Sequence, residues 1–141
     1  MSKLRFVITC AVAFIVAEVL EVVVHGVILD PDYEPFRGIL LRNMEGDAAA
    51  FALLPLAHLS FVIALVWVYS RIVRPGAWLR QGLILGLLAW FIGQVPLWMV
   101  WYAEQPWPGS LVVKQLGLEL IAMLILGMIV AAIYRPAAAK Q

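Results

Sequence analysis

A chain of 141 residues that is 65% hydrophobic and only 13% charged is too apolar for an ordinary water-soluble domain. Its formal net charge of +1 gives no bulk attraction to nucleic acid, and its one cysteine, Cys10, excludes an internal disulfide. Instead of one small core there are four apolar stretches of bilayer-spanning length, so the whole of 1–141 is expected to form a single all-α transmembrane domain.

The first stretch, 4–29, follows Lys3 and Arg5 and so imitates a secretory signal. It is too long for one, lacks a close small-x-small site, and is interrupted by Glu18. Ile8-Thr9 before Cys10 also fails to supply the small pair of a lipoprotein signal. An uncleaved first span is expected. At about 100° per residue, Glu18, Glu21 and His25 share an arc of roughly 60°, with Phe14 beneath them on the same stripe.

The segment 30–47 opens with Asp30, Asp32 and Glu34 around Pro31 and Pro35. Over 36–45, helical spacing puts Phe36, Leu40 and Met44 on one face and Arg42 and Glu45 opposite, which predicts a short helix lying in the membrane interface. The second span, 48–70, carries His58, and Arg74-Pro75-Gly76 then reverses the chain. In the third, 79–103, Gln94 is the polar residue, while Gly82, Gly86, Ala89 and Gly93 line a narrow face. Such a face suits packing within the bundle and a homo-oligomer equally. Pro106-Trp107-Pro108-Gly109 turns the chain into the fourth span, 110–134, where Gln115 and Glu119 share a face.

Lys3, Arg5, Arg71, Arg74, Arg80, Arg135 and Lys140 flank one side of this four-span antiparallel bundle, and only Arg37, Arg42 and Lys114 the other. The bias predicts both termini in the cytoplasm, in the inner membrane if the source is bacterial. Trp67 and Trp78 then mark the inner interface, and Trp98, Trp101 and Trp107 the outer.

Counted at about 1.5 Å per residue, Glu18, Glu21, His58, Gln94 and Glu119 fall within about 5 Å of one level in the outer half. His25 and Gln115 sit one to two turns nearer the outside, where His25 is expected to reach water. Ionisable groups cost several kcal/mol in hydrocarbon and are kept there mainly for function. Metal binding is the sharpest reading, with Glu18, Glu21, His25, His58 and Glu119 as ligands and Gln94 and Gln115 in support. A divalent ion is implied, with zinc, iron, manganese and copper undistinguished, and redox or hydrolytic chemistry would be open to it. The pattern departs from the ferritin-like one, which needs Glu-x-x-His on two helices. Haem between His25 and His58 is disfavoured by about 9 Å of depth.

Two other readings stand beside it. A proton or cation carrier would use the same cluster, with Asp30, Asp32 and Glu34 concentrating cations at an outer mouth. Its inner half, however, offers only Thr9, Cys10 and Tyr69. A structural or assembly subunit would use Glu119–Gln94 and His58–Glu18 bonds as glue between helices. No phosphate loop, nucleophile elbow or Cys-x-x-Cys is present, and Ser60 points about 160° from His58.

Overall fold

The computed structural model describes residues 3–42 and 47–135, and its regular structure is helical throughout. Four helices are long and apolar enough to cross a membrane: Lys3–Ile28, Ala48–Ile72, Trp78–Glu104 and Gly109–Ile133. Hydrocarbon offers backbone amides no partner, so these runs must satisfy their hydrogen bonds internally as helices. Their outward residues, among them Val7, Ile15, Val19, Phe51, Phe91 and Ile92, are large and apolar, which suits lipid contact and makes this a multi-pass membrane chain.

The packing order follows side-chain size. The first span lies between the second and the fourth, and the third lies against the fourth. That last contact is the closest because Gly82 and Gly86 meet Gly127. A methyl group at Gly82 would come within 2.8 Å of the Met128 Cα, and one at Gly86 would run into the Met123 carbonyl. The inner glycines of the expected stripe therefore serve packing within the chain and are closed to a second copy. A methyl group at Gly93 would meet no other part of the described chain within 4 Å.

Its departure from the stripe has a local cause. Residues Trp90–Gln94 form a wider π turn in which the Val95 N–H bonds to the Trp90 carbonyl. Pro96 lacks an N–H, and its ring crowds the carbonyl four residues back. The wider turn absorbs this and rotates the rest of the span about its axis. A second π turn, Val24–Ile28, ends the first span, with the Leu29 N–H reaching the Val24 carbonyl at 2.9 Å.

One end of the bundle gathers both ends of the described chain. The Arg5 guanidinium donates to the Arg135 carbonyl, Arg135 lies over Trp78, and Tyr69 meets Tyr134 edge-on. The opposite, loop end is closed by Leu29, Tyr33, Trp98, Trp107, Leu111 and Val112, all buried together. Between the site and the terminal end, Ala13, Val62, Val66, Leu126 and Val130 make a dry core.

The helix expected over 36–45 does not form over its described part, 36–42. Helical structure comes earlier, at Asp30–Tyr33 and in the tight turn Glu34–Phe36, because Pro31 and Pro35 each stand in a first turn, where a missing N–H costs nothing. Gly38, at φ +72°, then reverses the chain, its N–H bonding to the Leu41 carbonyl at 2.8 Å. Phe36, Leu40 and Leu41 pack onto the loop-end cluster rather than along an interface. Met44 and Glu45, which carried part of that expectation, lie outside the described residues.

Candidate functional site

Three of the four spans send their ionisable side chains to one place. His25, at the start of the first π turn, is its hub. Its Nε2 lies 2.7 Å from Glu119 Oε1 and 3.6 Å from Glu21 Oε2, one helical turn back. Its Nδ1 lies 2.8 Å from the Tyr33 hydroxyl. Tyr33 in turn donates to Gln115 Oε1 at 2.9 Å. A phenol has one proton, so with that proton on Gln115 the Tyr33 oxygen accepts Nδ1–H from His25. The Nε2 of His25 therefore faces the two carboxylates.

His58 approaches from the other side. Its Nδ1 is 2.9 Å from Glu18 Oε1, and its Nε2 is 3.7 Å from Glu21 Oε2. Glu21 thus stands between two imidazoles, each held at its far nitrogen by a separate partner. Glu119 and Gln115 are buried, at 6% and 3% exposure, so neither can rely on water for its hydrogen bonds.

One ligand atom each from Glu21, His25 and Glu119 lies within 4.8 Å of the other two. Ligands of a tetrahedral ion at about 2.0–2.1 Å stand about 3.4 Å apart, close to the 3.6 Å between Glu21 and His25. These groups can hold a metal, with the Glu119–His25 hydrogen bond opening to admit it. His58 joins the set only through Glu21. Fixing the outer nitrogen of an imidazole is the usual support for a metal-bound one, and Tyr33 gives it to His25 as Glu18 gives it to His58.

A cavity of about 270 Å³ adjoins the cluster, walled on the polar side by Glu21, His58, Gln94 and Glu119. Its apolar walls include Leu20, Phe61, Leu97 and Met123. Phe61 is the aromatic wall of this cavity; Phe14, on the polar stripe, does not line it, and both rings also pack against the core.

The seven polar residues singled out by sequence thus lie around one centre, with one expected pairing kept and the other changed. His25 is not a bystander: half-buried, it bonds Tyr33 of the folded-back 30–36 segment on one side and Glu119 on the other. His58 pairs with Glu18, whereas Glu119 bonds His25 and makes no hydrogen bond to Gln94 among the described residues. The expected acidic mouth is largely offset, because Asp30 and Glu34 share Arg37, and Asp32 pairs with Lys114 at 2.5 Å. Tyr33 was missed. It stands beyond the apolar run in a proline-rich turn, where no periodicity marks a residue as inward. Its only signal is an aromatic hydroxyl eight residues after an intramembrane histidine. In comparisons with protein-family models, curated proteins and solved structures, nothing matches this chain.

Proposed function

We propose that this is a metal-binding membrane protein whose Glu21, His25 and Glu119 hold one divalent ion. The observation that carries the reading is the convergence of these three ligand atoms beside a cavity, with the other nitrogen of His25 fixed by Tyr33. Two carboxylates and a neutral imidazole balance a charge of +2, which removes the cost of leaving two buried anions together. Three protein ligands leave a position open toward the cavity, the arrangement of catalytic rather than structural sites. Zinc, iron, manganese and copper all accept such mixed nitrogen and oxygen ligands. The His58–Glu18 pair then lies within reach of whatever occupies the cavity and is suited to taking or giving a proton there. Charge bias further supports four antiparallel spans with both termini in the cytoplasm, the loop end outside, and, in a bacterium, residence in the inner membrane.

A proton or cation carrier is a second reading. It is favoured by the continuous hydrogen-bonded chain Gln115–Tyr33–His25–Glu119. Against a through-path stand Val62, Val66, Leu126 and Val130, all fully enclosed, and Thr9, whose hydroxyl is engaged by the Arg5 carbonyl.

Elemental analysis of protein purified without chelators tests these readings. Wild type and Glu18→Gln should carry one equivalent of a divalent metal, and Glu119→Gln should lose it. Wild type free of metal overturns the proposal. If such protein conducts protons into liposomes and Glu119→Gln stops it, the carrier reading stands; with neither property the chain is an assembly subunit.

A further inference from the structure

The cavity is closed along the bundle in both directions. Toward the loop end, Tyr33 and Gln115 are roofed by Leu29, Trp98, Trp107, Leu111 and Val112, and the Asp32–Lys114 pair ties the short helix to the fourth span. Toward the terminal end lies the dry core. Sideways it is open. The second and third spans do not pack closely on each other, yet both wall the cavity, with Ala57, His58 and Phe61 on one and Gln94 and Leu97 on the other. Ala57 and Leu97 are exposed, and no atom lies within 4 Å of where a side chain on Gly93 would begin. An opening between two spans at this depth faces hydrocarbon, so what enters is dissolved in the bilayer.

Charge selects its head group. Among the described residues no lysine or arginine lines the cavity, whereas Glu21 and Glu119 do, and Glu18 stands behind His58. A phosphate or fatty carboxylate would meet Glu18, and without the ion Glu21 and Glu119 as well, with no lysine or arginine to pair with. A divalent ion balances Glu21 and Glu119, and Glu18 is engaged by the His58 ring outside the cavity lining, so no anion is left over for a cationic head. The head that fits is uncharged and donates hydrogen bonds to carboxylate or imidazole acceptors, which a hydroxyl does. Pockets that enclose a drug-sized molecule span roughly 300–1,000 Å³. At about 270 Å³ this one takes a head and the first part of a tail, and leaves the rest in the membrane.

We propose that the cavity binds an uncharged, hydroxyl-bearing lipid that enters sideways between the second and third spans. The hydroxyl sits against Glu21, His58 and Glu119, and the hydrocarbon leaves past Phe61 and Leu97. The proposal rests on reading the Glu/His cluster as the working site and names the class of molecule it serves.

The experiment uses the full chain in lipid nanodiscs, with labelled decyl hydroquinone as probe, decyl phosphate as its anionic counterpart, and metal content measured on the same samples. Wild type should bind the hydroquinone saturably, one per chain over empty discs, and should not bind the phosphate. Ala57→Phe and Leu97→Trp, which fill the opening from opposite walls, should each abolish probe binding while keeping the metal. Absence of saturable binding, equal binding of decyl phosphate, or full binding by both filled variants overturns the proposal. Probe binding by metal-free wild type upholds it and overturns the metal reading; metal without probe binding does the reverse.

Discussion

Which nitrogen of His25 faces the cluster is decided by a residue outside the membrane-spanning segments. The Tyr33 hydroxyl gives its proton to Gln115 and takes one from His25 Nδ1, which fixes both the tautomer and the tilt of the ring. In Tyr33→Phe the ring loses its anchor, and buried Gln115 loses its partner. Metal affinity is expected to fall about 10–100-fold, as when other supporting partners of a metal-bound histidine are removed, and competition against a chelator measures it. The same substitution has a signature in pH. Burial raises the Tyr33 hydroxyl well above its usual value near 10, and the charges of Glu21, Glu119 and Asp32 add to this, while the Gln115 hydrogen bond works the other way. The folded chain therefore holds this proton more tightly than the unfolded one. The contribution to stability is complete below about pH 10 and is lost as pH rises beyond it. Thermal unfolding in detergent between about pH 9 and pH 11 should show a smaller alkaline loss for Tyr33→Phe than for wild type. Equal losses would mean that Tyr33 is not held as a buried neutral phenol.

Among the elements, glycine placement and the two π turns do most to shape the site. Gly86 and Gly127 let the third and fourth spans touch backbone to backbone. Overpacking a rigid contact costs about 1–3 kcal/mol, and here the obstacle is main chain that cannot rotate away. Gly86→Ala should therefore unfold at clearly lower temperature in detergent, whereas Gly93→Ala, with open space around it, should not. Equal effects would mean that the two spans do not meet at Gly86. The spans and the inner part of this stripe were legible because hydropathy and a 100° wheel report regular helix directly. The same wheel failed at Gly93, because a wider turn is invisible to a fixed period, although it put His25 correctly on one arc with Glu21. The 36–45 segment misled for a related reason. Phe36 and Leu40 are spaced as on a helix, but Gly38 between them takes a positive φ, and both side chains reach the loop-end cluster by a reversal. The common depth of the carboxylates and histidines was readable from residue counts alone. Of the pairings, His58–Glu18 was expected and forms, whereas the Glu119–His25 bond was not foreseen, since it depends on which spans are neighbours.

At the scale of the whole molecule, charge is distributed with a sharp asymmetry. The three acids Glu18, Glu21 and Glu119 lie within the spans. The other six, Asp30, Asp32, Glu34, Glu45, Asp47 and Glu104, all flank the loop end, together with Arg37, Arg42 and Lys114. The terminal end has the remaining seven lysines and arginines and no acid. Described cations of the loop end are also paired, Arg37 with Asp30 and Glu34, Arg42 with Asp47, and Lys114 with Asp32, whereas Arg71 and Arg135 of the terminal end lie over Trp67 and Trp78. Basic residues in sequence stretches that contain no Asp or Glu, together with Trp67 and Trp78, favour the terminal end for the cytoplasmic side, where anionic lipid adds about 1 kcal/mol of attraction per basic residue near the surface. The Glu/His cluster would then lie in the half of the membrane nearer the outside. Single cysteines on a Cys10→Ala background decide it. Ile39→Cys, on the exposed 37–41 turn, should react with a membrane-impermeant maleimide in intact cells. Ala77→Cys, in the turn between the second and third spans, should react only after the cells are permeabilised. Labelling in the opposite order would invert the molecule, put the cluster nearer the cytoplasm, and require its metal to be loaded from inside.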